Sequence, residues 1–384
     1  MVGLGLVAAS HLKGYTGHPR VHVTAVCDLD CARAEEFARS HHIPEVYDSY
    51  DALLGQAPVD VISIATPTHL HASMTLQAVR TGRHVHCEKP FCRFLVEGQL
   101  PTEEAHRRNL TISVGETYVF LSSFRKAREL IEAGEIGRPL QLRQRHGSWL
   151  ERNASPPWPV PQNRDWRLDP KFSGGGNYPW LFDHAVHFFS SAEYLMLDQP
   201  VHEVYAVTSR RSNGVGVEGA AHDPYTTSNI DVPILTWKYE DPELQGLWAR
   251  AERLNGKYDH MSGFSASIFG EHGMIEVLGE GGNNLLWEGE QVHLVLHRSQ
   301  KKSLSFRFDE EKDAVWDSEI SYYGQGHINQ IQHFVDAVLS GTNPRYSGGD
   351  GIQSVRCTLA AIRSAREGRP VGVDEIGPDY KAYE

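Results

Sequence analysis

Hydrophobic and polar positions alternate in two different ways along this chain. Up to about residue 117, short apolar runs are interleaved with segments whose apolar residues recur at helical spacing. Residues 21–26 read as a strand, followed by a helix over 31–40 with Arg33, Glu36 and Arg39 on its polar face. Residues 59–65 are almost all apolar, the mark of a strand covered on both faces. Residues 70–81 are amphipathic and stop at Gly82, which suits a helix C-cap. Residues 84–87 and 112–114 are further strands. Strand and helix in alternation, with short connections, predict a parallel, doubly wound sheet.

Beyond a helix at 124–133, closed by Gly134, the pattern becomes one of period two, as in Leu247-Trp248-Ala249-Arg250-Ala251. Strands are expected at 139–147, 201–209, 231–239, 245–253, 264–270, 273–278, 285–288 and 291–297. Short turns join most of them, so a large, mostly antiparallel sheet should form. Helices over 327–339 and 351–365 close the chain. One loop stands out: residues 151–165 hold Pro156, Pro157, Pro159 and Pro161 around Trp158, a stiff segment of the kind that walls an active site. The predicted class is α/β. A Rossmann doubly wound domain spans 1–120, and an α+β domain with an open antiparallel sheet spans 121–384, its last helices free to pack back on the first.

Composition narrows the function. A length of 384 residues exceeds one ordinary core and fits two domains. The 40% apolar and 22% charged content is that of a globular protein. No run of 18 apolar residues and no signal-peptide pattern is present, so no membrane partner is expected. A net charge of −12 argues against nucleic acid, whose phosphates need a basic face. Five cysteines with no C-x-x-C pair point to reduced thiols and a cytoplasmic location.

Candidate chemistry begins at Gly3-x-Gly5-x-x-Ala8. The first glycine permits a tight turn, the second lets backbone approach a pyrophosphate, and Ala8 lets helix and strand pack closely. With Leu6 and Val7 these residues should cradle the phosphates at a helix N-terminus. Asp28, 20 residues after Ala8, is placed to accept the adenosine ribose hydroxyls and would repel a 2′-phosphate, which favours NAD over NADP. An ordinary helix N-cap is the other use for it. Only Met1 and Val2 precede the loop, so the strand that should carry it is almost absent, and the biological chain is expected to begin several residues upstream.

Glu88-Lys89-Pro90 follows the strand at 84–87, at the carboxyl edge where ligands of such sheets bind. A partly desolvated lysine there could accept an alcohol proton, and Pro90 could be cis; alternatively Lys89 is a surface lysine paired with Glu88. Thr66 and Pro67 end a strand near the cofactor's middle, with His71 either beside them at the cofactor or simply structural. Asp183 and His187 share one helix face. His187 could hydrogen-bond a substrate hydroxyl while Asp183 orients it, or the histidine could be a core residue with a carboxylate partner. The same spacing would suit two metal ligands, but no third or fourth ligand is recognisable among the 21 histidines, so no metal is expected. Gly174-Gly175-Gly176 upstream would let backbone approach a ligand closely. Trp149, Trp158, Trp166, Tyr178 and Trp180 cluster around it and could stack on sugar faces, with Arg164 and Arg167 as forked donors. They are equally ordinary core material.

In order and spacing these elements resemble the Gfo/Idh/MocA family, the glucose–fructose oxidoreductase and inositol dehydrogenase group. The resemblance rests on GLGLVA (3–8), Asp28, ATPTHLHA (65–72), EKP (88–90), FRKARELIEAGEIG (124–137), and DWRLDPKFSGGG followed by Asp183 and His187. It implies a catalytic set of Lys89, Asp183 and His187, Glu88 on the nicotinamide-side ribose, and Arg167 in the pocket wall. It further implies bound NAD, a sugar, polyol or glycoside substrate, and a homodimer or homotetramer formed through the open sheet. Tyr118, Trp158, Arg164, Trp166, Arg167, Tyr178, Trp180 and His184 are the residues expected on the substrate side. Tyr118 and residues 119–123 replace a commonly more basic segment, which leaves the substrate open. Three activities fit: a sugar or cyclitol dehydrogenase, a glycosidase working by transient oxidation at C3, and a non-catalytic NAD-binding sensor.

Overall fold

The computed structural model describes residues 1–148, 166, 169–210, 231–252, 264–278, 292–308 and 322–384. Its first part runs α1 (Ala8–Thr16), β1 (Ala25–Cys27), α2 (Cys31–His41), β2 (Glu45–Tyr47), α3 (Tyr50–Gln56), β3 (Val61–Ile64), α4 (Thr68–Arg80), β4 (His84–Glu88), α5 (Leu95–Arg107) and β5 (Ile112–Gly115). β1 pairs with β2, and β3 with β4 and β5, all parallel. Met1–Gly3 joins these two pieces. Val2 bridges Cys27 on one side and Ile64 on the other, with Val2 N donating to Ser63 O at 2.8 Å and Gly3 N to Cys27 O at 2.9 Å. Three residues therefore hold the central position that the sequence pattern leaves almost empty, and the sheet order becomes β2, β1, Met1–Gly3, β3, β4, β5.

The second part contains α6 (Ser122–Glu132), β6 (Pro139–Ser148), α7 (Pro170–Ser173), α8 (Pro179–Leu195), β7 (Val201–Arg210), β8 (Asp231–Tyr239), β9 (Gln245–Glu252), β10 (Phe264–Gly270), β11 (Gly273–Leu278), β12 (Leu294–Arg298), β13 (Leu304–Phe306), α9 (Tyr322–Ser340), α10 (Gly348–Glu367) and β14 (Val371–Gly372). Among the described residues nine strands form one sheet in the order β13-β12-β11-β10-β6-β9-β8-β7-β14. Every pairing is antiparallel except β6 with β9. Period two along β7 and β8 sends Val204, Ala206, Leu235 and Trp237 inward and leaves the alternate residues on the far face. α8 is apolar on nearly every side because it lies between that sheet and α10, with Phe188 stacked on Trp248 at 4.2 Å.

The C-terminal helices do return to the first sheet. α9 packs on α1 so closely that a Cβ at Gly14 would lie 2.8 Å from Ile331, and α10 lies against α5. The expected strand at 21–26 contracts to Ala25–Cys27. β2, α3 and α5 have no counterpart among the sequence expectations. α5 holds Gly98 and Pro101, both poor helix formers; Gly98 is needed because a Cβ there would meet Ile352 at 2.8 Å. The expected strand at 285–288 and the proline-rich loop at 151–165 lie outside the described residues. Among the described residues no helix is long and apolar enough to cross a membrane.

Candidate active site

The glycine loop leaves the central strand and opens α1. Gly3 has φ +81°, and a Cβ on it would lie 2.7 Å from Ala65 O, so only glycine fits between the loop and β3. A Cβ on Gly5 would meet nothing within 4 Å, which leaves its backbone open to approach by a ligand. Asp28, at the end of β1, accepts from Leu4 N at 2.8 Å and from Asp30 N at 2.9 Å. It is not the N-cap of α2; Asp30 is, accepting from Arg33 N at 3.1 Å. Arg33 lies 3.5 Å from the Asp28 carboxylate. The carboxylate is therefore fixed over the loop, beside the N-terminus of α1, and the arrangement fits a dinucleotide with an unphosphorylated ribose.

Lys89 follows β4, with a cis bond to Pro90. Its Nζ donates to Asp183 O at 3.1 Å and lies 3.3 Å from Asp183 Oδ1, with both side chains mostly buried. The lysine pairs with Asp183 on α8 and not with the neighbouring Glu88. His187, one turn further along α8, does not bond to Asp183. Its Nδ1 lies 2.8 and 2.9 Å from the two oxygens of Glu116, which follows β5 and is itself buried. The ring donates from Nδ1 to that carboxylate, which leaves Nε2 as the basic nitrogen. Tyr118 packs edge-on against the ring at 4.9 Å and gives its backbone N–H to Glu116. Tyr118 is thus a buried wall for His187. Glu116 has no place in the motif reading, and the only signal for it is a carboxylate two residues past a predicted strand.

Two expected cofactor contacts are turned elsewhere. Glu88 faces inward, its Oε1 bonded to His11 Nε2 at 2.9 Å and 3.9 Å from His327 Nδ1. Burial alone would raise its pKa, but the His11 hydrogen bond and the surrounding imidazoles outweigh burial and hold the carboxyl well below its usual range. A Cβ on Gly115 would fall 2.7 Å from that same oxygen, so β5 makes room for it. His71 is buried and spans two backbone carbonyls, Pro90 O at 2.7 Å and Thr66 O at 2.6 Å. It braces the turn after β3 against the turn after β4. Burial lowers its pKa despite those carbonyls, so one ring proton serves one of them at a time. Pro67 ends the first of these turns, just ahead of α4.

On the substrate side, Trp166, Trp180 and Asp183 line a small pocket with Thr68, Ser173 and Phe182. His184 packs beside Trp180 and lies 3.9 Å from Asp183 Oδ2. Tyr178 is half-buried at the head of α8. Trp149, Trp158, Arg164 and Arg167 lie outside the described residues. The triple glycine serves packing within the protein: a Cβ on Gly176 would lie 2.3 Å from Ala382 O, and one on Gly175 would lie 2.6 Å from Tyr178 O. The close approach it permits is to the chain's own C-terminal segment.

Two family matches cover most of the chain. Residues 1–116 match the oxidoreductase family with an NAD-binding Rossmann fold, and residues 128–373 match its C-terminal alpha/beta domain. Over 381 residues the chain is 23% identical to myo-inositol 2-dehydrogenase of Thermotoga maritima, covering 98% of both chains. It is 23% identical over 392 residues to 2,7-anhydro-N-acetylneuraminate hydratase of Escherichia coli, covering 98% of this chain and 97% of that one. Among solved structures, levoglucosan dehydrogenase in complex with NADH and levoglucosan superposes with a TM-score of 0.74 at 20% identity, covering 97% and 98% of the two chains. The first domain is an NAD-binding Rossmann domain, and the chain belongs to the Gfo/Idh/MocA family of NAD-dependent sugar and cyclitol oxidoreductases.

Proposed function

We propose that this protein is an NAD-dependent dehydrogenase that oxidises one hydroxyl carbon of a sugar or cyclitol. Residues 1–120 bind the cofactor through Gly3, Gly5, Leu6, Val7, Ala8, Asp28, Thr66 and Pro67, and residues 121–384 bind the substrate. The observation that carries this reading is the meeting of Lys89 with Asp183, beside the Glu116–His187 pair, at the carboxyl edge of β4 and β5. NAD, when bound, supplies the hydride acceptor. Lys89 Nζ, tethered by Asp183, donates a hydrogen bond to the substrate hydroxyl oxygen and sets its position. Nε2 of His187 takes the hydroxyl proton, and the Glu116 carboxylate stabilises the imidazolium that results. Burial of both pairs keeps water from competing for these bonds.

The test is turnover of a panel of sugars and cyclitols with NAD, followed by NADH absorbance. Lys89→Met should lower kcat/KM by about 10²-fold or more, and unchanged turnover would sink the assignment. Net hydrolysis of a glycoside through transient oxidation is the second reading. The similarity to a hydratase supports it, as does the aromatic and arginine content of residues 151–167. Nitrophenol released from an aryl glycoside without NADH accumulation would select it.

A further inference from the structure

Behind Lys89 the fold gathers titratable groups that this proton chemistry does not use. His11 comes from α1, His86 and Glu88 from β4, and His327 from α9, and all four are buried. His11 Nε2 and His327 Nδ1 converge on one carboxylate oxygen, Glu88 Oε1, at 2.9 and 3.9 Å. The three donor atoms lie within 4.8 Å of one another. Around them are buried polar atoms with no hydrogen-bond partner among the described residues: both ring nitrogens of His86, whose ring centre is 5.0 Å from that of His11, and Oε1 of Gln330. Among the described residues no lysine or arginine nitrogen lies within ion-pair distance of Glu88. Among the described residues only imidazoles offset the charge of this carboxylate, which is costly to bury without full compensation.

We propose that His11 Nε2, His327 Nδ1 and Glu88 Oε1 form a binding site for a zinc-class divalent cation that ties α1, β4 and α9 together. Two imidazoles and a carboxylate form a donor set that zinc accepts and that magnesium, which prefers oxygen alone, does not. Metal–ligand bonds of about 2.0 Å imply a tetrahedral edge of about 3.3 Å, between the two separations seen here. Each imidazole already has a partner near its other ring nitrogen. Ser63 Oγ lies 3.0 Å from His11 Nδ1 and can accept the ring's single proton there, which frees Nε2 for the metal. Thr117 Oγ1 lies 3.5 Å from His327 Nε2 and does the same for that ring. Gln330 Nε2 sits 3.2 Å from His327 Nδ1; exchanging its two amide atoms turns the orphaned oxygen toward the metal as a fourth ligand. The ion balances the Glu88 charge and holds the residue immediately before Lys89. The ligands stand far apart in sequence, so no spacing motif announces them, and the site does not depend on which substrate the enzyme takes.

Untagged protein, stripped with a chelator and titrated with zinc chloride, tests this by native mass spectrometry. One zinc per chain with micromolar or tighter affinity is expected, and cobalt(II) in its place should show the visible bands of a four-coordinate nitrogen–oxygen site. His327→Gln should weaken zinc binding roughly 100-fold, and chelation should lower the melting temperature of the wild type but not of the variant. No stoichiometric zinc in the wild type at micromolar free metal overturns the proposal, as does His327→Gln binding zinc as well as the wild type. Should that variant fail to fold, the wild-type stoichiometry and cobalt spectrum decide alone.

Discussion

At the scale of single residues, the Glu116 carboxylate governs what His187 can do. Its two oxygens hold Nδ1 and leave Nε2 as the nitrogen with the lone pair, the proposed base. Glu116→Gln offers an amide that can donate to Nδ1 and turn the proton to Nε2, which removes the base without emptying the space. We expect kcat to fall by about 10²-fold or more with the NAD affinity unchanged, checked by steady-state kinetics and a NAD titration; wild-type kcat would reduce the pair to packing. Asp28 makes a similar case. Asp28→Asn keeps an oxygen for Leu4 N but drops the charge, and Arg33 stands 3.5 Å away to receive a 2′-phosphate. The ratio of kcat/KM for NAD over NADP should then drop about 10 to 100-fold, the value of one charged hydrogen bond. Lys89, Asp183, His187 and Asp28 are legible as candidates because each sits at a fixed offset from a strand end or a helix turn. Glu116 is not, because nothing in its spacing distinguishes a carboxylate that orients a histidine from one in a surface turn.

Among the elements, α8 carries His187 and, further along, Glu193. Its carboxyl accepts from Val201 N at 3.0 Å and Gln353 Nε2 at 3.2 Å, and burial pushes its pKa up to about 7. An acid raised in the folded state contributes its full stability below the ordinary value of 4.5, where it is protonated in both states. As the pH rises from there through about 7, the unfolded chain ionises while the buried acid resists, and about 3 kcal/mol is lost. Glu193→Gln should remove that slope. Urea midpoints at pH 5 and pH 8 would then converge for the variant but not for the wild type, and parallel curves would refute the assignment. α8 also shows how far periodicity reads. Strongly patterned stretches such as α4, α6 and β7 to β9 form close to their expected bounds, since burial and propensity agree there. α5 forms against its own Gly98 and Pro101 because α10 covers it, and the triple glycine faces Ala382 where a ligand was expected. Both outcomes are set by contacts with the C-terminal segment, which no local window contains.

For the molecule as a whole, the nine described strands of the large sheet are covered by helices on one face, and among the described residues nothing covers the other. Val207 and Ile234 are cross-strand partners on that other face, 52% and 55% exposed, and Ile234 is in turn paired with Ala249. Tyr205 lies on the same face one pair along. A continuous apolar sheet surface of this kind is stabilised by a second layer, and a second copy of the chain supplies one. The expected assembly is a homodimer or homotetramer, measured as the mass by light scattering. Val207→Lys with Ile234→Lys places like charges at the centre of that contact and should halve the mass or reduce it to one chain, with the melting transition of each chain retained. A wild-type protein that scatters as a monomer would refute the pairing. Each chain carries a formal charge of −12, so two copies repel as they approach. Salt screens that repulsion beyond about 8 Å at physiological ionic strength while leaving the apolar contact intact, and the dimer should therefore tighten as salt is added.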